Sequence, residues 1–257
     1  MQAPTAPTAP TAAYQRDPEL QAALDALFAE TIDKGRRRVP HSEVQSHVER
    51  ITQLGRSLGL NRVRPEWNDG SFQGMLTTNL TGITEDNVCT MARLTFGKVK
   101  PANLMVQTDQ KAAANMTGKA DEWKGPLAAS AQDPAHGYCI RTYFRLIDVN
   151  VMGCMLVQGL YDIDSQKEGA LGVTFTGFRL QPARPSDPED VRKWREALGP
   201  HNEMDEVGGI DIVLEKPART TLSYIVMDPE WNLAISGAGT LMCMKAVPGD
   251  KGVNAPM

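Results

Sequence analysis

The stretch Thr221-Leu-Ser-Tyr-Ile-Val-Met-Asp-Pro-Glu-Trp-Asn-Leu-Ala-Ile-Ser-Gly-Ala-Gly-Thr-Leu-Met-Cys-Met-Lys245 decides the fold. Three short apolar runs are cut by two turn signals, Asp228-Pro229-Glu230 and Gly237-Ala238-Gly239. Proline pre-sets the φ of a turn and glycine tolerates the positive φ of a tight hairpin. The reading is strand, turn, strand, glycine turn, strand: the grammar of an up-and-down antiparallel sheet.

Similar glycine-punctuated runs extend back to about Phe72. Strands are expected at Ser71 to Thr78, Asn87 to Phe96, Leu104 to Gln107 and, weakly, Asn115 to Thr117. Tyr138 to Ile147 alternates, with Tyr138, Ile140, Thr142, Phe144 and Leu146 on one side and Arg141 and Arg145 on the other. Val151 to Tyr161, Leu171 to Leu180 and a short Ile210 to Leu214 follow. With the quoted hairpins this makes around ten strands. Between them Pro182 to Pro200 is a proline-flanked insertion with a short helix, Pro188 to Leu198, whose Trp194 is placed to plug a barrel end. A meander of this length is expected to curl into a closed or nearly closed barrel. Eight strands or so leave room for one small ligand, or for side chains that fill the interior.

Two helices precede the strands. Asp17 caps the first with Pro18 at its first position, and Leu20, Ala23, Leu24, Leu27, Phe28 and Ile32 recur on one face up to Gly35. The second starts at Ser42, which with Gln45 spells a capping box. Its stripe is Val44, Val48, Ile51, Leu54 and Leu58, closed by Gly59. Such stripes pack on a sheet. Met1 to Ala13 is an uncharged Pro-Thr-Ala repeat with too little apolar bulk to fold. Its acid-free composition ending at Arg16 fits the tail of an organelle transit peptide. The expected organisation is a tail over 1–16, a helical pair over 17–60, a barrel over 67–247 and a flexible tail over 248–257.

Composition narrows the function. A net charge of -4 and a pI near 5.6 in 257 residues argue against nucleic acid, which demands a basic surface. The one dense basic run, Lys34-Gly-Arg-Arg-Arg38, suits a solvated helix end. No stretch reaches the ~18 apolar residues of a membrane span, so no transmembrane segment is expected and any membrane association is peripheral. Cys89, Cys139, Cys154 and Cys243 are scattered in strands without a C-x-x-C and read as buried free thiols.

Catalytic patterns fail one by one. Ser236 lies in Ala-Ile-Ser-Gly-Ala, where a nucleophile elbow needs glycine on both sides and a helix after it. Gly237-Ala-Gly239 leads into strand, against the dinucleotide fingerprint. His41-Ser-Glu43 lacks the P-C-x-x-C of a zinc deaminase. His41, His47, His136 and His201 form no metal spacing, and the acidic loops at Glu85-Asp86, Asp162 and Asp164, and Glu203 with Asp205-Glu206 read as solvation. No catalytic residue and no metal site are expected. The strands are instead rich in methionine (Met75, Met91, Met105, Met152, Met155, Met227, Met242, Met244), a side chain that suits irregular or ligand-filled interiors as well as ordinary cores. If the interior is a cavity, Phe144, Leu146, Phe175 and Tyr224 are its candidate lining, a choice that a one-residue slip in register would invert.

The order of these elements resembles the plastid lipid-associated protein family, the fibrillins or PAP/fibrillin domain. The matching features are the helical pair Leu27 to Leu58 and then Trp67-Asn-Asp-Gly-Ser-Phe-Gln-Gly-Met-Leu-Thr-Thr78. Val173-Thr-Phe-Thr-Gly-Phe-Arg-Leu-Gln-Pro182 and the closing hairpin Tyr224 to Gly237 follow. Together they cover residues 20–246. Trp231-Asn232, Ala234 and Ser236 depart from the acidic and arginine positions of that hairpin, and Leu76 stands where the family places tyrosine. The resemblance implies a mainly β, lipocalin-like antiparallel barrel behind two N-terminal helices. It implies a plastid protein at thylakoids or plastoglobules that binds an apolar small molecule such as a lipid, carotenoid or quinone, with no catalytic residues to carry over. Two other readings stand beside it. One is a structural subunit docked on a photosynthetic pigment–protein complex through a filled barrel. The other is a barrel isomerase or hydrolase using His136, His201 and loop acids.

Overall fold

The computed structural model describes residues 15–68, 70–79, 88–90, 104–115, 136–147, 149–163, 169–199 and 203–248; at 65, 66, 79, 88–90, 104–115 and 136 only the backbone is described. Helix α1, Pro18–Glu30, opens as its sequence dictates. Asp17 Oδ1 accepts from the amides of Glu19 (2.9 Å) and Leu20 (3.1 Å), satisfying two orphan donors of the first turn. It stops earlier than the apolar stripe: Thr31 turns away, its hydroxyl donating to Leu27 O, and a 3-10 turn at Ile32–Lys34 runs to Gly35 with φ 73°.

A short strand, β1 (Arg38–Pro40), then leads directly into α2 (His41–Ser57). Nothing in Arg-Val-Pro itself signals a strand. Because β1 holds the backbone in the sheet up to Pro40, Pro40 is the N-cap and Ser42 already lies inside the helix. The expected Ser42–Gln45 capping box therefore does not form, and Gln45 instead donates to Glu49 (2.9 Å). A single turn, α3 (Pro65–Asn68), precedes the strands.

The strands are β2 (Gly70–Asn79), β3 (Val88–Thr90), β4 (Leu104–Asn115), β5 (His136–Leu146), β6 (Val151–Ile163), β7 (Ala170–Pro182), β8 (Ile210–Met227), β9 (Trp231–Ser236) and β10 (Leu241–Ala246); helix α4 (Pro188–Leu198) lies between β7 and β8. The molecule is mainly β. The sheet runs in the order β1-β2-β10-β9-β8-β7-β6-β5-β4-β3, and β2 also pairs with β4. The ring from β2 through β10 and back to β4 thus curls on itself. Its seam is Gly70–Gln73 of β2 against Lys111–Ala114 of β4. The farther end of β2 pairs in parallel with β1.

Two expected strand breaks are absent. The segments expected at Leu104 to Gln107 and Asn115 to Thr117 belong to the continuous β4, whose polar middle, Asp109-Gln-Lys111, hides the continuity; residues 116 and 117 lie outside the described ones. Ile210 to Leu214 and the opening run of the quoted stretch are likewise one strand, β8. Its pairing with β7 jumps from Gly177↔Val213 to Phe175↔Ala218, so Leu214 to Pro217 bulge out of the ladder. Pro217, which has no N–H to donate, sits inside that excursion.

Helices α1 and α2 lie on the outer side of β8, β9, β10 and β2. Leu20, Leu24, Leu27, Val44, Val48 and Ile51 bury against Leu76, Ile225, Leu233, Leu241 and Cys243. The contact is close enough to demand a glycine: a Cβ on Gly55 would stand 1.9 Å from Ile225 O. The N-terminal arm is fastened to the same region. Arg16 Nε meets Asp228 Oδ2 at 2.8 Å with side chains 8 % and 0 % exposed, and Asp228 Oδ1 accepts from the amides of Glu230 and Trp231, both at 2.8 Å. One carboxylate therefore shapes the β8–β9 turn and anchors the chain ahead of α1.

This packing sets the cost of two substitutions. Gly55→Ala should lower the unfolding free energy by about 1–3 kcal/mol as α2 is pushed off β8, read as a lower urea midpoint with unchanged slope. Arg16→Ala, which leaves Asp228 buried without its charge partner, should cost roughly 3 kcal/mol in the same measurement.

Candidate functional site

Directly opposed residues of an antiparallel pair share a face, so the ladders fix which side chains point into the ring. From β5 they are Tyr138, Ile140, Thr142, Phe144 and Leu146; opposite them on β6 stand Gly159, Val157, Met155, Gly153 and Val151. The face continues through Val173, Phe175, Phe178 and Leu180 of β7 to Ile210, Ile212, Leu222, Tyr224 and Met227 of β8. It returns by Asn232 and Ala234 of β9 to Met242 and Met244 of β10. This is the concave side, because α1 and α2, each about 10 Å across, cover the opposite face through Leu76, Leu233 and Cys243; on the inner face the Tyr138 ring lies 6.3 Å from that of Phe175, over Gly159.

Each end of the ring carries a tryptophan. At one end α4 lays Trp194 against Phe144, ring centroids 6.1 Å apart, and the indole N–H donates to Gly208 O at 2.8 Å. Phe144, Leu146, Phe178, Leu180, Ile210 and Trp194 are all fully buried here. Gly153 makes the stacking possible, since a Cβ there would lie 2.5 Å from both rings. At the other end the loop leading to β2 crosses the opening. Met227 N donates to Leu60 O (2.8 Å), Arg64 stacks over the Trp67 ring at 4.4 Å, and Val63 and Trp67 pack against the cluster of Tyr138, Tyr161, Leu171, Val173 and Tyr224.

Between the ends the packing loosens. Ile140, Val157, Phe175, Met242 and Met244 point inward yet are only half-buried. Beside them lies a small polar group. Asn68 Oδ1 accepts from the Tyr224 hydroxyl (3.1 Å) and from Asn232 Nδ2 (3.2 Å), while Asn232 Oδ1, in a residue only 4 % exposed, has no hydrogen-bond partner. Burial raises the Tyr224 and Tyr138 hydroxyl pKa values well above their ordinary value. Both phenols stay protonated and available as donors. Apolar walls with a few convergent polar groups are the usual make-up of a small-molecule site.

The four candidate lining residues all fall on this inward face but occupy three environments. Phe144 and Leu146 sit under the Trp194 plug, packed tight. Phe175 stands in the looser middle, and Tyr224 belongs to the polar group. Sequence reasoning misses Asn68 and Asn232. Asn232 figures there only as a departure from the acidic positions of the family hairpin; its place in the alternation opposite Met244 and Met227 is the available signal.

Residues weighed for other chemistry have structural work. Asp162 pairs with Arg219 (2.9 Å), and His47 with Glu30 (3.2 Å). Asp205 accepts from Arg179 and from the amides of Val207 and Gly209; burial opposes its charge, but these donors bring its carboxyl below the ordinary range. His201, Glu85, Asp86 and Asp164 lie outside the described residues, and His136 opens β5 with only its backbone described. Among the described residues no group of three or more His, Cys, Asp and Glu could hold a metal, and no helix is long and apolar enough to cross a membrane.

Cys139, Cys154 and Cys243 are free and buried; Cys89 is in β3, where only the backbone is described. Burial pushes the Cys139 and Cys154 thiols up to about 12, against the opposing pull of Arg141. Compared with known proteins, the chain matches no family model, no curated protein and no solved structure.

The raised thiols give a direct test. At pH 8 a thiol of pKa near 12 is thiolate to only about one part in ten thousand. In the native protein Cys139, Cys154 and Cys243 should therefore resist iodoacetamide for hours, while in guanidinium all three should label at the rate of free cysteine, mapped by peptide mass spectrometry.

Proposed function

We propose that this chain is a non-enzymatic, lipocalin-like and fibrillin-like barrel that holds one apolar small molecule, a lipid, carotenoid or quinone. It works as a peripheral protein at a thylakoid or plastoglobule surface in a plastid. The observation that carries the binding half is the contrast along the inward face. Both ends are closed by aromatic packing, whereas the apolar side chains of the middle, Ile140, Val157, Phe175, Met242 and Met244, keep accessible surface. Methionine and phenylalanine at such positions adapt to a guest without a fixed shape.

The setting rests on two weaker supports. One is the ordered resemblance of residues 20–246 to the plastid family. The other is apolar surface at the Trp194 end, where Ile147 (37 %), Val149 (45 %) and Val207 (40 %) stand exposed and would meet a lipid surface first.

A second reading, a side-chain-filled barrel serving as an assembly subunit on a pigment–protein complex, draws on the complete burial of Phe144, Leu146, Phe178, Leu180 and Trp194. The two separate in one titration. The carrier reading predicts saturable, one-to-one fluorescence enhancement of diphenylhexatriene, displaced by a carotenoid or fatty acid, and loss of that uptake in Val157→Trp with the circular dichroism spectrum unchanged. A filled barrel takes up no probe and instead remains with a pigment–protein complex through mild detergent.

A further inference from the structure

Among the described residues, six buried side-chain polar atoms make no hydrogen bond, and Asn232 Oδ1 is one of them. Asn232 Oδ1 lies on the inward face, between its cross-strand neighbours Met227 and Met244, and accepts no hydrogen bond. The other end of the same amide is committed: its Nδ2 donates to Asn68 Oδ1, which also takes the Tyr224 hydroxyl at 3.1 Å. This holds the Asn232 amide in one orientation, oxygen outward from the trio. A buried carbonyl oxygen without a donor forfeits the hydration it had in the unfolded chain, and native interiors rarely leave one so.

On the reading of the barrel as a small-molecule carrier, we propose that Asn232 Oδ1 is the recognition point for a hydrogen-bond donor on the guest. The class of ligand is then an apolar chain or ring system carrying a hydroxyl group: a long-chain alcohol, a hydroxylated isoprenoid or a phenol. The tail lies along Phe175, Val157, Ile140 and Met242, and the hydroxyl donates to Asn232 between Met227 and Met244. The same geometry discriminates. A quinone or ketone presents only acceptors, and its oxygen would face the Asn232 oxygen with no proton between them. A pure hydrocarbon leaves the amide as unsatisfied as it is now. Sites that leave a buried polar group unpaired reject the analogue lacking its partner more strongly than apolar fit alone can.

The experiment uses the full chain loaded with diphenylhexatriene, a hydrocarbon probe without donors, displaced in parallel by dodecanol and by dodecyl methyl ether. The two competitors differ in the donor and hardly in apolar surface. Wild type is expected to bind the alcohol about tenfold tighter than the ether. Asn232→Leu, near in volume, is expected to keep probe binding and lose the preference. Equal affinities in wild type overturn the assignment while leaving the carrier reading intact, as does a preference that survives in Asn232→Leu. Failure of the probe to bind wild type at all overturns the carrier reading and this inference with it. Should Asn232→Leu fail to fold, the wild-type alcohol-to-ether ratio decides alone.

Discussion

Four residue pairs hold the barrel shut. Gly70–Gln73 of β2 meet Lys111–Ala114 of β4, and without that seam β2 and β4 would be the two open margins of a curled sheet. A free sheet edge exposes a row of unpaired backbone groups, which closure removes. The seam also determines everything inside. Only when the ring closes do the inward residues of β5 to β7 face those of β8 to β10, and only then do α3 and α4 have openings to stop. The remaining margins near the seam are taken by β1 beside the far end of β2 and by β3 beside the start of β4.

What sequence makes legible here is what period and turn chemistry encode. The alternation of Tyr138, Ile140, Thr142, Phe144 and Leu146, the two turns after Met227 and Ser236, the insertion helix Pro188–Leu198 and the cap at Asp17 all follow from local rules, and each is found in place. Elements whose cause lies elsewhere in the chain are not legible. β1 exists because β2 offers it a ladder; its own Arg-Val-Pro carries no strand signal. β8 continues through Pro217 because Thr174 to Gly177 of β7 tolerate a bulge opposite it. Ser42 loses its capping role to the same long-range constraint that makes β1.

The candidate site is half visible for a related reason. Phe144, Leu146, Phe175 and Tyr224 share one face because strand alternation is local, so their common orientation is written in the order of residues alone. Which of them are packed against a plug and which are left half-buried depends on α4 and α3, and these come from loops whose landing place has no periodic signature. Trp194 is the exception, a large aromatic in an insertion with nowhere to go but over an end. Asn68 and Asn232 are separated by 164 positions and meet only because α3 crosses under β9. No spacing rule reaches that far.

The chain's polar groups also show how differently burial is tolerated in one small protein. Asp228, fully buried, is surrounded by donors: the Arg16 guanidinium and two turn amides, enough to hold a charge out of water. Arg179 is held the same way on the outer face by Asp205, Asp211 and Gln181. In both places charge has been brought inward to fix a turn or a loop, although Asp211 Oδ1, beside Arg179, is left without a hydrogen-bond partner. The Asn68–Tyr224–Asn232 trio differs in kind. It fixes no turn, it lies between the closed α3 end and the half-buried Met242 and Met244, and Asn232 Oδ1 accepts no hydrogen bond. A purely structural network at that position would gain by closing on itself, and Asn232 replaced by leucine would pack against Met227 and Met244 with no orphaned oxygen. On the proposed reading, the Asn232 oxygen and the half-buried side chains beside it are the two features a guest would satisfy together, one with a proton and the other with apolar volume.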